Sequence, residues 1–298
     1  MPLQRRTSRP LSRIVVLLGA ARHLRCGRLG PVNARSALFD LYGDHLRSRD
    51  GRAPIAALVR LLAPLDSSAA AVRTAVSRMV RQQWLTPDRT GGGATYAMTT
   101  QAWRRLDQAA ERIYRTRPGA WDETWHLVVI DPLSQRGSRQ RVRSALAFLG
   151  YAPLAESTWI AAYASDEVGP VVSGEGGSSR AFRARSDEDP RRLAHRLWHL
   201  DELGVAYVDW LSQARTLTSG ASADDDRTAF AVRSRLVHEW RKFLFTDPGL
   251  PRQLLPARWP GDEAARFFDA EAARLLPAAS RFVDCCLQPT GPPNGALL

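Results

Sequence analysis

Lysine is almost missing from this chain: Lys242 is the only one, although Lys and Arg together number 42. Cysteine is nearly as scarce. Cys26, Cys285 and Cys286 make no disulfide framework and have no metal-ligand spacing. The adjacent Cys285 and Cys286 read as packing residues on a terminal helix. No apolar run approaches the roughly 20 residues of a membrane span, so the chain reads as a cytoplasmic protein without a membrane partner. No Ser-His-Asp, Cys-His or phosphate-loop signature stands out, and nothing points to an enzyme or a cofactor. Acidic residues are outnumbered, 30 against 42, which leaves a net charge of +12. An excess of that sign points to a polyanionic partner, nucleic acid or a membrane surface. A GC-rich genome would account for arginine over lysine, but not for the sign of the charge.

What is present, over 298 residues, is room for two or three domains. Residues 1–32 include the short apolar run Ile14–Ala21 but no small-residue cleavage site. They read as a disordered basic extension or the product of a misplaced start codon, or else as a basic arm. Order begins at Asn33, an N-cap ahead of Leu38, Phe39, Tyr42 and Leu46 at helical spacing. Arg47–Gly51 is a turn, Pro54 opens a helix to Leu62, and Pro64 ends it. A third helix is expected over Ser68–Gln82, then short strands at Trp84-Leu85 and Thr95–Met98 around Gly91–Gly93. A fourth helix from Thr99 or Thr100 carries Trp103, Leu106, Ala110 and Ile113 on one face.

A different texture follows the Pro118-Gly119 linker. Strand Trp125–Ile130, helix Ser138–Leu149 with Gly150 as its stop, and strand Thr158–Tyr163 form a strand–helix–strand unit. Gly169–Ser179 reads as a loop and Ala181–Arg185 as a strand. Helices are expected over Pro190–Leu197 and Asp201–Ala214. Asp224–Asp226 favour the start of another, because helix N-termini carry partial positive charge. That helix reaches about Phe245, a loop covers Pro248–Gly261, and two closing helices follow, Asp262–Leu276 and Pro277–Leu287.

Three short helices and a hairpin make a winged helix-turn-helix, whose third helix belongs in the DNA major groove. Val72, Val76, Met79 and Val80 should pack inward, leaving Arg73, Thr74, Ser77, Arg78 and Arg81 on an acid-free outer face. Arg73 and Arg78 suit guanine, Thr74 and Ser77 reach bases or phosphate, and Arg81 suits the backbone. Ser68 at the cap and Arg89 at the wing tip complete the DNA-binding set.

The matching stretches go further. Leu61–Leu65, Val72–Met79, Trp84-Leu85, Tyr96–Thr99, Arg112–Tyr114 and Trp121–Trp125 lead to Leu236–Arg241, Asp247–Pro251, Leu254–Pro256 and Trp259–Gly261. On these residues the chain, from about 33 to 287, resembles the PaaX family of bacterial repressors. The resemblance implies an α+β, helix-rich fold: a winged helix-turn-helix (33–116), a Cas2-like ferredoxin-like domain (121–215), a helical C-terminal domain (224–287) and a flexible tail (288–298). It also implies a homodimer on a palindromic double-stranded operator, released by an aryl-acyl-CoA effector, phenylacetyl-CoA in the founding case. The Gly91–Gly93 wing and the Gly169–Ser179 loop depart from the family's pattern.

An acyl-CoA site needs cations and an apolar slot. The region holding His238, Trp240, Arg241, Lys242, Arg252, Arg258 and Trp259 offers both. His238-Glu239 starts like a zinc-protease motif, but Lys242 stands where the second His belongs, so no metal site is read there. His195 and His199 lack a third ligand. An alternative from another class is a Cas2-like metal-dependent nuclease using Asp131, which ends the first strand of the middle unit. Asp131 precedes Pro132 with no second acid nearby, which favours a turn role.

Overall fold

The computed structural model describes residues 32–88, 94–100, 102–103, 121–222 and 224–288. The expected N-terminal extension, wing tip, most of the fourth helix and the tail lie outside them. The described chain divides into two compact units, one drawn from 115–208 and 242–261, the other from 27–114, 209–241 and 262–298. We call them the central and terminal units after their place in the sequence.

In the terminal unit, Asn33 caps α1 (Ala34–Leu41) by accepting from Ser36 N at 2.9 Å. A single π turn, Tyr42–Leu46, continues it. Then come β1 (Arg52–Pro54), α2 (Ile55–Leu62), α3 (Ala69–Arg81), β2 (Leu85–Asp88) and β3 (Thr95–Met98). The strands form an antiparallel sheet in the order β1-β3-β2. This is the expected winged helix with one strand more. β1 has three residues and one is proline, too short a run for alternation to announce it in the sequence; it exists because β3 pairs with it, Ala53 opposite Tyr96. Proline's missing N–H is tolerated there because β1 is a sheet edge. Pro54 therefore precedes α2 as its cap residue and is not its first residue.

α8 (Asp226–Trp240) and α9 (Pro260–Leu287) close this unit. Asp225 caps α8, accepting from the amides of Arg227 and Thr228 at 3.1 Å each. α9 is one helix, not the two expected around Pro277. Proline removes a helix hydrogen bond and crowds the preceding turn. Yet Phe268, Ala272, Leu275, Ala279 and Val283 continue one buried stripe across it, while Pro277 faces outward. Burial of that stripe outweighs the local defect.

The central unit is built on β4 (Trp125–Ile130), α4 (Arg136–Phe148), β5 (Ala152–Ala155), β6 (Thr158–Ala161), α5 (Val168–Gly174) and β7 (Ser179–Ala184). Its antiparallel sheet has the order β5-β6-β4-β7, a ferredoxin-like arrangement. Alternation along β4 sends Val128 and Ile130 toward Val142, Leu146, Val171 and Val172 of the two helices. Trp125 and Leu127 point the other way, toward Leu193, Ala194 and Leu254. α6 (Pro190–Trp198) supplies two of these, and α7 (Leu200–Thr218) follows it, giving residues to both units. The loop expected at Gly169–Ser179 instead contains α5. Its glycines and proline are poor helix formers, but Val168, Val171 and Val172 are buried at helical spacing, and packing overrides propensity. Gly150 ends α4 as expected, at φ +89°, where a Cβ would meet Pro248 O at 2.7 Å.

Candidate nucleic-acid interface

The site begins with the capping of α3. Ser68 Oγ accepts from Ala71 N at 3.2 Å and sits exposed at the helix N-terminus. Val72, Val76 and Met79 are all but completely buried, and Ala75 joins them. Val80 is half-buried, at the margin of the stripe. These residues hold α3 against α1 and α2, whose Leu38, Leu58, Leu61 and Leu62 are fully buried. Across the helix, Arg73, Thr74, Ser77, Arg78 and Arg81 are all exposed. The structure thus brings five of the seven expected contact residues onto one face, with Ser68 at its end. Arg89 lies outside the described residues. Behind the wing, Arg52 pairs with Asp88 at 3.3 Å.

Sequence reasoning missed Arg35. It sits in the first turn of α1, with its guanidinium 5.7 Å from the centre of the Phe39 ring. Burial, and then the charge of Arg78, lower its affinity for a proton. Its Nε and Nη2 are buried without a hydrogen-bond partner among the described residues. A cation at a helix N-terminus, beside a second cation, is held against both the helix dipole and Coulomb repulsion. The signal in the sequence was faint: an arginine two residues after a cap.

The expected effector residues are divided between the two units, His238, Trp240 and Arg241 in the terminal one and Lys242, Arg252, Arg258 and Trp259 in the central one. His238 Nδ1 donates to Asp40 Oδ2 at 2.8 Å, and Arg241 Nε donates to Asp40 Oδ1 at 2.7 Å. Asp40 is only 8% exposed. His238 therefore joins α8 to α1. Nearby, Arg233 pairs with Asp44 and donates to Ala272 O at 3.0 Å. Burial lowers Arg233 to about 10, still charged at neutral pH. His45 lies 3.2 Å from Asp44, but burial and Arg49 push its imidazole down to about 4. It is neutral at pH 7, so that contact is not an ion pair. Trp240 is core, stacked on Phe268 at 4.8 Å.

The remaining effector residues fall in the central unit. Arg252 donates to the carbonyls of Leu255, Pro256 and Ala257, stapling its own loop. Trp259 is buried beside Tyr207, and Arg258 is exposed. Lys242 follows Arg241 in a short 3₁₀ segment. A cavity of about 270 Å³ lies elsewhere in this unit, lined by Trp121, Asp122, Thr124, His126, Tyr163 and Arg183, among others. Arg183 pairs with Asp122 at 3.1 Å, and His126 Nδ1 lies 2.7 Å from Tyr151 Oη. Burial and Arg183 lower the His126 imidazole.

Asp131 is held by Ser178 Oγ and, at 3.1 Å, by Arg180 Nη1, which depress its carboxyl. With the Asp131 amide donating to Ser178 O at 3.0 Å, the residue ties the end of β4 to the start of β7. His195 Nε2 contacts Asp201 at 3.1 Å, while His199 takes a left-handed φ of 48° that ends α6. No group of three His, Cys, Asp or Glu able to hold a metal occurs among the described residues. No described helix is long and apolar enough to cross a membrane.

Comparison with known proteins agrees with this architecture. A PaaX-like protein family model matches residues 33–102, the central Cas2-like domain of PaaX proteins matches 118–193, and the PaaX-like C-terminal domain matches 198–285. The transcriptional repressor PaaX of Escherichia coli K12 is 31% identical over 267 residues, which cover 85% of this chain and 84% of that protein. Among solved structures, an uncharacterised protein of Mycobacterium tuberculosis superposes with a TM-score of 0.55 at 25% identity, covering 85% of this chain and 98% of the other. A winged helix, a Cas2-like sheet and a helical C-terminal region, each matched in order by the corresponding family model, make this chain a member of the PaaX family.

Proposed function

We propose that this protein is a transcriptional repressor that reads a palindromic DNA operator as a homodimer through α3. The observation that carries the reading is the division of α3 into a buried stripe and an exposed, acid-free face of Arg73, Thr74, Ser77, Arg78 and Arg81. Arginine forks at Arg73 and Arg78 match the paired acceptors of guanine in the major groove. Arg81, with Arg35 behind Arg78, suits the phosphates, which position a protein without specifying sequence. Arg89 at the wing would add a minor-groove or phosphate contact. Similarity to a transcriptional repressor supports the regulatory sense of this binding.

Release follows from a small effector of the aryl-acyl-CoA class, such as phenylacetyl-CoA. Such a ligand shifts the protein off DNA only if it prefers the unbound state. The aromatic-walled cavity of about 270 Å³ suits an acyl group, not a whole coenzyme. Arg258, exposed at the surface of the same unit, is a candidate for phosphate.

The test is selection of bound sequences from a random duplex library by the full chain at physiological salt. An inverted repeat with half-sites about one turn apart, roughly 34 Å, is expected. No enrichment over the starting library would overturn the reading. Addition of phenylacetyl-CoA to the selected complex then tests release.

A further inference from the structure

The central unit carries a second acid-free arginine face. Helix α4 reads Arg136-Gly-Ser-Arg139-Gln-Arg141-Val-Arg143 before its apolar end, with no Asp or Glu anywhere in it. Its inner residues, Val142, Ala145 and Leu146, are buried under the sheet. Arg136, Arg139 and Arg143, at spacings of three and four, are exposed along the outer side. Arg141 is the exception, neutralised by Glu175 through two hydrogen bonds. Arg139 donates to a carbonyl, Leu133 O at 2.9 Å, and Arg143 lies 6.0 Å from the centre of the Trp159 ring. None of the three has a carboxylate partner among the described residues.

This arrangement works against the helix that carries it. Like charges three and four residues apart destabilise a helix, and cations in the first turn oppose its dipole. No side chain caps the N-terminus to offset this. A solvated face chosen for stability would alternate signs, so the row of charge fits a partner that is itself a row of opposite charge.

We propose that the outer face of α4 is a second DNA-contacting surface, which grips the phosphate backbone without reading bases. Successive α4 arginines rise by about 1.5 Å per residue, so Arg136 to Arg143 extend over roughly 10 Å, enough to meet phosphates on more than one nucleotide. This rests on the DNA-binding reading of α3 but concerns a different helix, and the two can fail separately.

The experiment compares full-length wild type with Arg136→Gln/Arg143→Gln, sparing Arg139, which bonds Leu133 O. Anisotropy is measured on the selected operator, bare and extended by flanking duplex, across a salt series. The double variant should bind operator and scrambled duplex more weakly by the same factor, roughly tenfold, and its salt slope should fall by about 2, near 0.9 per lost phosphate contact. Arg136→Lys/Arg143→Lys should restore both, which a folding defect would not allow. An unchanged slope and affinity in the double variant, with Arg78→Ala still defective, overturns the α4 proposal and leaves α3 intact. Normal DNA binding with lost pelleting on phosphatidylserine vesicles also overturns it. If Arg78→Ala binds as wild type does, it is the α3 reading that fails.

Discussion

Asp40 is the residue whose replacement should cost the terminal unit most. It is 8% exposed and receives both His238 and Arg241 from α8. Two charge-assisted bonds replace its hydration. Asp40→Asn keeps the shape and one carbonyl acceptor but strands the Arg241 cation, whose side chain is only 11% exposed. Removing one partner of a buried pair costs about 3–5 kcal/mol. The retained carbonyl puts the expected loss near the lower limit, ~3 kcal/mol. For a unit of this size that lowers Tm by roughly 6–12 °C. Because Asp40 lies in the winged helix and Arg241 in the C-terminal segment of one compact unit, both should melt together. Circular dichroism gives the transition. Trp84, packed edge-on to Phe39 at 4.6 Å, and Trp240 report the two segments by fluorescence in single-Trp variants. Asp40→Asn/Arg241→Met, which removes the stranded charge, should recover part of the loss. A Tm within about 2 °C of wild type, or two separate transitions, would refute the reasoning.

Three further outcomes are expected. Arg73→Ala and Arg78→Ala should each cost about 1–3 kcal/mol on the operator and relax base preference, whereas Arg81→Ala and Arg35→Ala should weaken binding to every sequence alike; competition against scrambled duplex separates the two kinds. His45 is held neutral with a folded value of about 4 against 6.5 for the free side chain, so the unfolded chain binds more protons between those values. Its contribution to stability is complete above pH 6.5 and falls as pH drops toward 4, by roughly 3 kcal/mol in all; urea melts over that range should lose this slope in His45→Gln. Pro277→Ala should restore a hydrogen bond inside α9 and stabilise the unit by about 1–3 kcal/mol, read as a higher urea midpoint.

Much of the candidate interface was legible because local rules suffice for it. Ser68 announces a cap, and 3.6-residue periodicity separates Val72, Val76 and Met79 from Arg73, Ser77 and Arg78 without knowledge of what they pack against. The same holds for Asn33, Asp225 and Gly150, whose roles depend on the backbone within a few residues. Elements without a local signal were misread: β1 needs β3 as a partner, α5 needs the sheet to bury its valines, and α9 needs α8 to hold it through Pro277.

Residue order along one helix is enough to set the composition of the outer face of α3: its basic sign, its lack of acids and its helical phase. What the other charges do is set by packing. His238 and Arg241, read as effector contacts, are spent on Asp40, some 200 residues away in sequence. Arg35 sits beside Arg78, and α4 turns three arginines outward with no acid among the described residues to meet them. A cation's role depends on which carboxylates come within a few ångströms of it, and that distance is a property of packing, not of sequence.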